Sequence, residues 1–236
     1  MRKMKGKARL FWTVGVLGAL LLAALGCDGV SGPIAPPTAA DSAEGPIVPK
    51  KRIPLHNGQD FAGWKLFVPN PDVDVHGVWS VSAGVIRCTG TPAGYMRTEA
   101  DFANYKLRVE WRWPEGGGNS GVLLHVSEPD QVWPKSIEAQ LMSGNAGDFY
   151  AIGGTDFSER VDKSSTRVAK KAESSEKPLG EWNADEILCR DDTIRVFVNG
   201  VLQNEATETT ARSGKIGLQS EGKPIEFRNV HLEPLD

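Results

Sequence analysis

The sequence predicts an all-β domain over residues 52–236, in the pattern of a sandwich or barrel and most simply as one antiparallel two-sheet sandwich. Three observations carry this. Helical periodicity is almost absent, short β-rich runs recur throughout, and turn residues separate them. The runs read as strands are Trp79–Val81, Val85–Cys88, Tyr95–Arg97, Tyr105–Trp113, Gly121–Val126 and Ser136–Met142, then Glu186–Arg190, Thr193–Val198, Val201–Glu205, Lys215–Gln219 and Ile225–Leu232. Ser82-Ala83-Gly84 is a candidate tight turn between the first two. In Tyr105–Trp113, Leu107, Val109, Trp111 and Trp113 alternate with Arg108, Glu110 and Arg112, so one face is apolar and the other charged.

Ser136–Met142 alternates in the same way. Ile137, Ala139 and Leu141 form the apolar face, which sets Glu138 and Gln140 on the outer one; if that face is concave, it is a binding groove. Residues 157–177 are polar, show no apolar face and read as a long surface loop. Asn199-Gly200 is the strongest hairpin signal, because a type I′ turn needs φ > 0 at both positions. The first strand near Leu55 is expected beside the last, near Phe227–Leu232, at a sheet edge.

Residues 1–9 are basic and residues 10–25 apolar, the n- and h-regions of an export signal and short of a membrane span. Ala24-Leu25-Gly26-Cys27 follows and resembles the lipobox of bacterial lipoproteins, with Ala24 where Leu is commoner. The expectation is a signal over 1–26, lipid on Cys27, a flexible linker over 27–51 and a place in the cell envelope on a lipid membrane; a plain cleaved signal and an uncleaved anchor are the alternatives. Cys27→Ser is then expected to free the protein from membranes, and an unmodified Cys27 in the mass spectrum of the wild type would overturn the anchor. Cys88 and Cys189 remain, as a disulfide or as two buried thiols.

The whole chain carries net charge −3; without the five cations of the leader, 22 basic residues face 30 acidic ones, a net −8. That argues against a nucleic-acid partner and leaves neutral ligands such as sugars open. Gly116 to Gly121 reads GGGNSG, a literal match to a dinucleotide fingerprint, but a strand-like run follows it instead of a helix. The four His, at positions 56, 76, 125 and 231, make no visible metal cluster. No cofactor is expected; a Ca²⁺ ion would draw on Asp148, Asp156 and Glu159 with loop carbonyls.

Several segments, taken in order, carry a family likeness. They are Leu55-His56-Asn57-Gly58 with Trp64, Asn119-Ser120-Gly121, Ser136-Ile137-Glu138-Ala139-Gln140 and Gly180-Glu181-Trp182-Asn183. Phe197-Val198-Asn199-Gly200, Ile216 to Gly222 (IGLQSEG) and Ile225 to Val230 (IEFRNV) continue it. Together they resemble the 3-keto-disaccharide hydrolase domain of exported bacterial proteins, over roughly residues 52–235. The resemblance implies a concanavalin A-like jelly roll, related to laminin-G domains. It also implies cleavage of glycosides whose sugar is a ketone at C3, with a carbohydrate as partner; a carbohydrate-binding module without catalysis is the alternative.

A C3 ketone acidifies the C2–H bond, so such cleavage needs a general base and donors for an enolate oxygen. Glu138 is the candidate base, with Gln140 two residues along the same face. Lys135 and Arg228 are candidates to stabilise the enolate or bind the sugar. Asn119, His125 and Trp133 are candidate substrate contacts, and Glu221 is the alternative acid or base; the resemblance implies a His near that position in many relatives. The bland readings are a Glu138 paired with Arg108 or Arg112, an Arg228 that bridges strands, an Asn119 kept for a left-handed turn, and a His125 satisfied by its neighbours.

Overall fold

A computed structural model describes residues 35–235, which fall within one compact unit. The leader, Cys27 and the start of the linker lie outside the described residues. The strands are β1 (Ile53–Pro54), β2 (Trp64–Phe67), β3 (Trp79–Ser82), β4 (Val85–Cys88), β5 (Gly94–Thr98), β6 (Tyr105–Arg112), β7 (Gly121–Val126) and β8 (Ser136–Gln140). They continue as β9 (Phe149–Ile152), β10 (Arg167–Val168), β11 (Asn183–Arg190), β12 (Thr193–Val198), β13 (Val201–Ala206), β14 (Lys215–Ser220) and β15 (Ile225–Glu233). Helix among the described residues amounts to a 3-10 turn at Ala39–Ser42 and the single turn α1 (Val75–Val78).

The strands form two antiparallel sheets, as expected. One runs β13-β12-β11-β6-β15-β4-β3 with β1 on β15, the other β10-β9-β8-β7-β14-β5-β2. Ile53 pairs with Leu232, so the first and last strands are neighbours. The Asn199-Gly200 turn has φ of 49° and 81°, and Ala83-Gly84 has 51° and 76°, both left-handed as a type I′ hairpin needs. Between the sheets lie the alternating apolar residues, among them Trp79, Leu107, Val109, Trp111, Val122, Leu124, Ile137, Ala139, Phe149 and Leu218.

Three strands escaped the sequence reading. β2, β9 and β10 have two to four residues each, and none is marked off by a tight-turn signal such as Ala83-Gly84. The loop at 157–177 also has an apolar anchor, Phe157, buried edge-on against Phe149 at 5.8 Å. Residues 35–51 are not a free tether. Ile47 N–H donates to Asp101 O at 2.8 Å, Ala103 N–H to Ile47 O at 3.1 Å, and Pro36 and Pro49 are buried. Proline and alanine suggested a spacer, but the segment lies along the sandwich.

Cys88 and Cys189 are free, buried thiols. They stand on β4 and β11, three strand positions apart, or roughly 14 Å, too far for a bridge. Burial pushes their thiols up to about 11 and about 12.

One core residue breaks the apolar rule. Asp185 on β11 is fully buried and accepts the Trp111 indole N–H at 2.9 Å, while its second oxygen has no partner. Burial raises its carboxyl to about 7 against 3.8 when unperturbed, and the Glu176 charge adds to this. The folded state therefore binds the proton more tightly than the unfolded chain, and stability falls as pH rises from about 4 to above 7. Asp185→Asn keeps the indole acceptor and cannot ionise. Its thermal midpoint is expected to gain on the wild type between pH 5 and pH 9; a constant difference would mean that Asp185 does not titrate in this range.

Candidate active site

The outer faces of the two sheets differ. On the outer face of the first sheet Glu110, Glu186 and Glu226 each have a cationic partner. Glu110 meets Arg108 at 3.0 Å and Arg228 at 2.8 Å, and Glu226 meets Arg87 at 2.9 Å and Arg112 at 2.7 Å. Arg228 and Arg112 also lie against the Trp182 ring, at 4.1 and 4.7 Å from its centroid. This is a laced, half-solvated sheet face.

The second sheet's outer face holds a cavity of about 460 Å³, lined by Glu138, Gln140, Tyr150, Asn119, Glu221, Trp133, Thr166 and the 151–153 backbone region. Glu138 sits on β8 opposite Leu123 of β7 and Tyr150 of β9. It is 4% exposed, and its Oε1 has no hydrogen-bond partner. Burial, reinforced by the Glu221 charge, raises its carboxyl to about 8. An unpartnered buried carboxyl is costly, and such groups cluster at functional sites.

Room for that carboxyl comes from Gly121. A Cβ there would lie 2.1 Å from Glu138 Oε1, so only glycine fits beside it. Ser120 ties the strand start to β14 by donating its hydroxyl to Gln219 O at 2.7 Å. Asn119 precedes it in an isolated bridge to Glu221 and Gly222, an extended placement and not a left-handed turn. Its side chain hydrogen-bonds Glu221, a half-buried carboxyl raised by desolvation and drawn down by that bond. Gln140 Oε1 accepts from the backbone N–H groups of Leu141 and Met142, both at 2.9 Å, so its amide is fixed in orientation.

Trp133 reaches the cavity on the loop between β7 and β8. Asp130 of that loop is gripped by Arg97, with Nε–Oδ1 at 2.7 Å and Nη2–Oδ2 at 3.0 Å, by the Tyr95 hydroxyl at 2.8 Å and by Lys65 at 2.8 Å. These donors overcome burial and hold the Asp130 carboxyl well below its usual range. A bidentate pair of this kind fixes direction as well as distance, which presses the loop onto the sheet.

Five of the predicted residues thus meet in one cavity: Glu138, Gln140, Asn119, Trp133 and Glu221. Three do not line it. Arg228 belongs to the other sheet, bound to Glu110, and Arg108 and Arg112 lie there too, so neither is a partner for Glu138. Lys135 is exposed at the end of the loop, and among the described residues no cationic side chain lines the cavity. His125 has φ of 56°, which breaks the strand alternation and buries it against Tyr105. Its Nδ1 lies 2.8 Å from Ala211 O, so Nδ1 carries the proton; burial lowers its pKa to about 4 and keeps it neutral.

The three acidic residues suggested for Ca²⁺ are each already engaged. Asp148 binds Arg167, Asp156 binds Arg160 and Lys163, and Glu159 accepts from Thr207. The sequence reading missed the places of Gly121 and Thr166 at the cavity. A glycine at the start of an apolar strand was the one available signal for the first.

A model of the 3-keto-alpha-glucoside-1,2-lyase-like domain matches residues 51–233. A 3-keto-disaccharide hydrolase of Bacteroides thetaiotaomicron is 21% identical over 246 residues, covering 83% of this chain and 82% of that protein. A Parabacteroides distasonis crystal structure, provisionally designated a glycosyl hydrolase, superposes with a TM-score of 0.59 at 24% identity, over 79% of this chain and 95% of that one. A carbohydrate-binding module of Bacillus subtilis has the same fold, with a TM-score of 0.53 at 11% identity over 72% of this chain and 95% of that one. The family match spans the whole sandwich and both carboxylates of the cavity, and the chain belongs to the 3-keto-alpha-glucoside-1,2-lyase-like domain family.

Proposed function

We propose that this protein is a carbohydrate-active hydrolase that cleaves 3-keto-glycosides by elimination followed by hydration, with Glu138 as the base. The observation that carries this reading is the Glu138 carboxyl itself: buried, unpartnered at one oxygen and facing a cavity that also holds Glu221. A carboxylate raised to about 8 is a stronger base than a solvated glutamate and so better matched to a weakly acidic C–H bond.

The steps balance as follows. The Glu138 carboxylate takes the C2 proton, and the C–H electron pair forms C2=C3 with the charge on O3. Collapse of that enolate restores C3=O, forms C1=C2 and breaks the bond from C1 to the leaving oxygen, which takes a proton from water. The hydroxide left from that water adds to C1 while Glu138 returns the proton to C2, which restores its carboxylate. The Glu221 charge beside Glu138 disfavours ionisation of Glu138 and so strengthens it as a base. The cavity lies within the ordinary range for a small ligand, about 300–1,000 Å³, and Trp133 and Tyr150 offer ring faces to a sugar.

The test is to incubate the purified protein with 3-keto-trehalose or 3-keto-lactose and measure released monosaccharide, with the parent disaccharides as controls. Release from the keto sugars alone is expected. Equal release from the parents would point to ordinary glycoside hydrolysis through an oxocarbenium-like centre. Binding without release would point to a carbohydrate-binding module.

A further inference from the structure

We infer that Tyr150 is the catalytic donor that stabilises the enolate oxygen and that Gln140 is its positioning residue; this rests on the elimination reading above. Elimination places charge on O3, and the carbon bearing O3 is bonded to the carbon that Glu138 deprotonates. The donor must therefore stand beside the base, on the same side of the sugar.

The cations suggested by sequence, Lys135 and Arg228, do not line the cavity. The side chains there that can donate are Asn119, Trp133, Gln140, Tyr150 and Thr166. The Asn119 side chain is engaged with Glu221. Trp133 and Thr166 lie on loops outside the sheet. Tyr150 is the direct cross-strand partner of Glu138, and such partners have Cβ atoms about 4.5–5.5 Å apart. That spacing suits two groups acting on adjacent atoms of one ring.

Gln140 sets the direction of the phenol. Its Oε1 is held by the two backbone N–H groups of Leu141 and Met142, which fixes the amide on the cavity wall it shares with Tyr150, and it draws the phenol's pKa down as a donor does. A phenol has one proton and two acceptor sites. With one acceptor site filled by Gln140, the O–H is free to turn to another acceptor, which in the complex is O3. The phenol keeps its proton. Burial raises its pKa, and Asp148 and Glu138 add to this against the opposing Arg167 charge and the Gln140 bond. The hydrogen bond transfers no proton; it strengthens as charge develops on O3 and relaxes when C3=O re-forms, which is the differential binding that accelerates a reaction.

The experiment compares wild type, Tyr150→Phe, Gln140→Leu and the double variant on a 3-keto-disaccharide. Tyr150→Phe removes one oxygen, and its thermal midpoint verifies folding. Its kcat is expected to fall by about 10²-fold with KM changed by less than about threefold, the pattern of a lost oxyanion donor. The rise of activity with pH should remain, because Glu138 is still present. Gln140→Leu should lower kcat as well, and the double variant should be no slower than Tyr150→Phe, since Gln140 acts through the phenol. Unchanged kcat with raised KM in Tyr150→Phe would reduce Tyr150 to a sugar platform and overturn its assignment. Multiplicative losses in the double variant would overturn the role of Gln140. An inactive wild type would remove the elimination reading together with this one, whereas an active wild type matched by Tyr150→Phe would remove this one alone.

Discussion

Glu138→Gln is expected to lower turnover of a 3-keto-disaccharide by at least about 10²-fold, the lower end of what a positioned general base contributes. The amide has nearly the same shape and cannot accept a proton from C2. The wild type should show a matching pH signature. Only the ionised carboxyl is a base, so kcat/KM should rise with pH through a midpoint near 8, a value that belongs to the Glu138–Glu221 pair as a unit.

Stability should move the opposite way. The folded-state pKa of Glu138 lies above its ordinary 4.5, so the native protein loses stability as pH rises from about 4.5 through 8. Glu138→Gln abolishes that loss, and its thermal midpoint at pH 9 should equal or exceed that of the wild type, the usual trade of stability against activity. An active Glu138→Gln would remove Glu138 from the mechanism and make Glu221 the base.

The second large effect is expected from Gly121→Ala. The added methyl carbon would lie 2.1 Å from Glu138 Oε1 and 2.7 Å from its Cδ and Cγ. The neighbour is a flexible side chain, so the carboxyl moves and the strand largely stays. Displacing a catalytic atom by about 1 Å costs about 10²-fold in rate, and the crowding costs about 1–3 kcal/mol. Turnover and chemical denaturation, measured on the same preparation, report the two effects separately. Gly77→Ala is the control, since nothing lies within 4 Å of a Cβ there. Wild-type turnover in Gly121→Ala would mean that the seat of Glu138 beside Gly121 is not needed for catalysis.

Most of the sandwich was legible because alternation is a local property. β6 and β12 announce their two faces, and Asn199-Gly200 announces its hairpin, without any knowledge of partners. β10, with two residues, forms because a neighbouring strand offers hydrogen bonds, so no local pattern marks it. His125 was misread for a related reason. Its left-handed φ turns a strand position inward, and nothing in VLLHV signals it.

The functional contrast rests on two glutamates. Glu110 in RVEWR and Glu138 in SIEAQ follow the same rule, an acid between apolar neighbours, and the sequence by itself determined that both face away from the core. Only the tertiary structure decided their fates. Around Glu110, β15 brings Arg228 and its own strand supplies Arg108, so its charge is paired and its pKa lowered. Around Glu138, β7 brings a glycine's empty space and Leu123, β9 brings Tyr150, and the chain beyond β14 brings a second carboxyl. Strand alternation sets which side of a sheet a residue faces. Desolvation and charge pairing depend on strands distant in sequence, and they decide whether a carboxylate laces a surface or serves as a base.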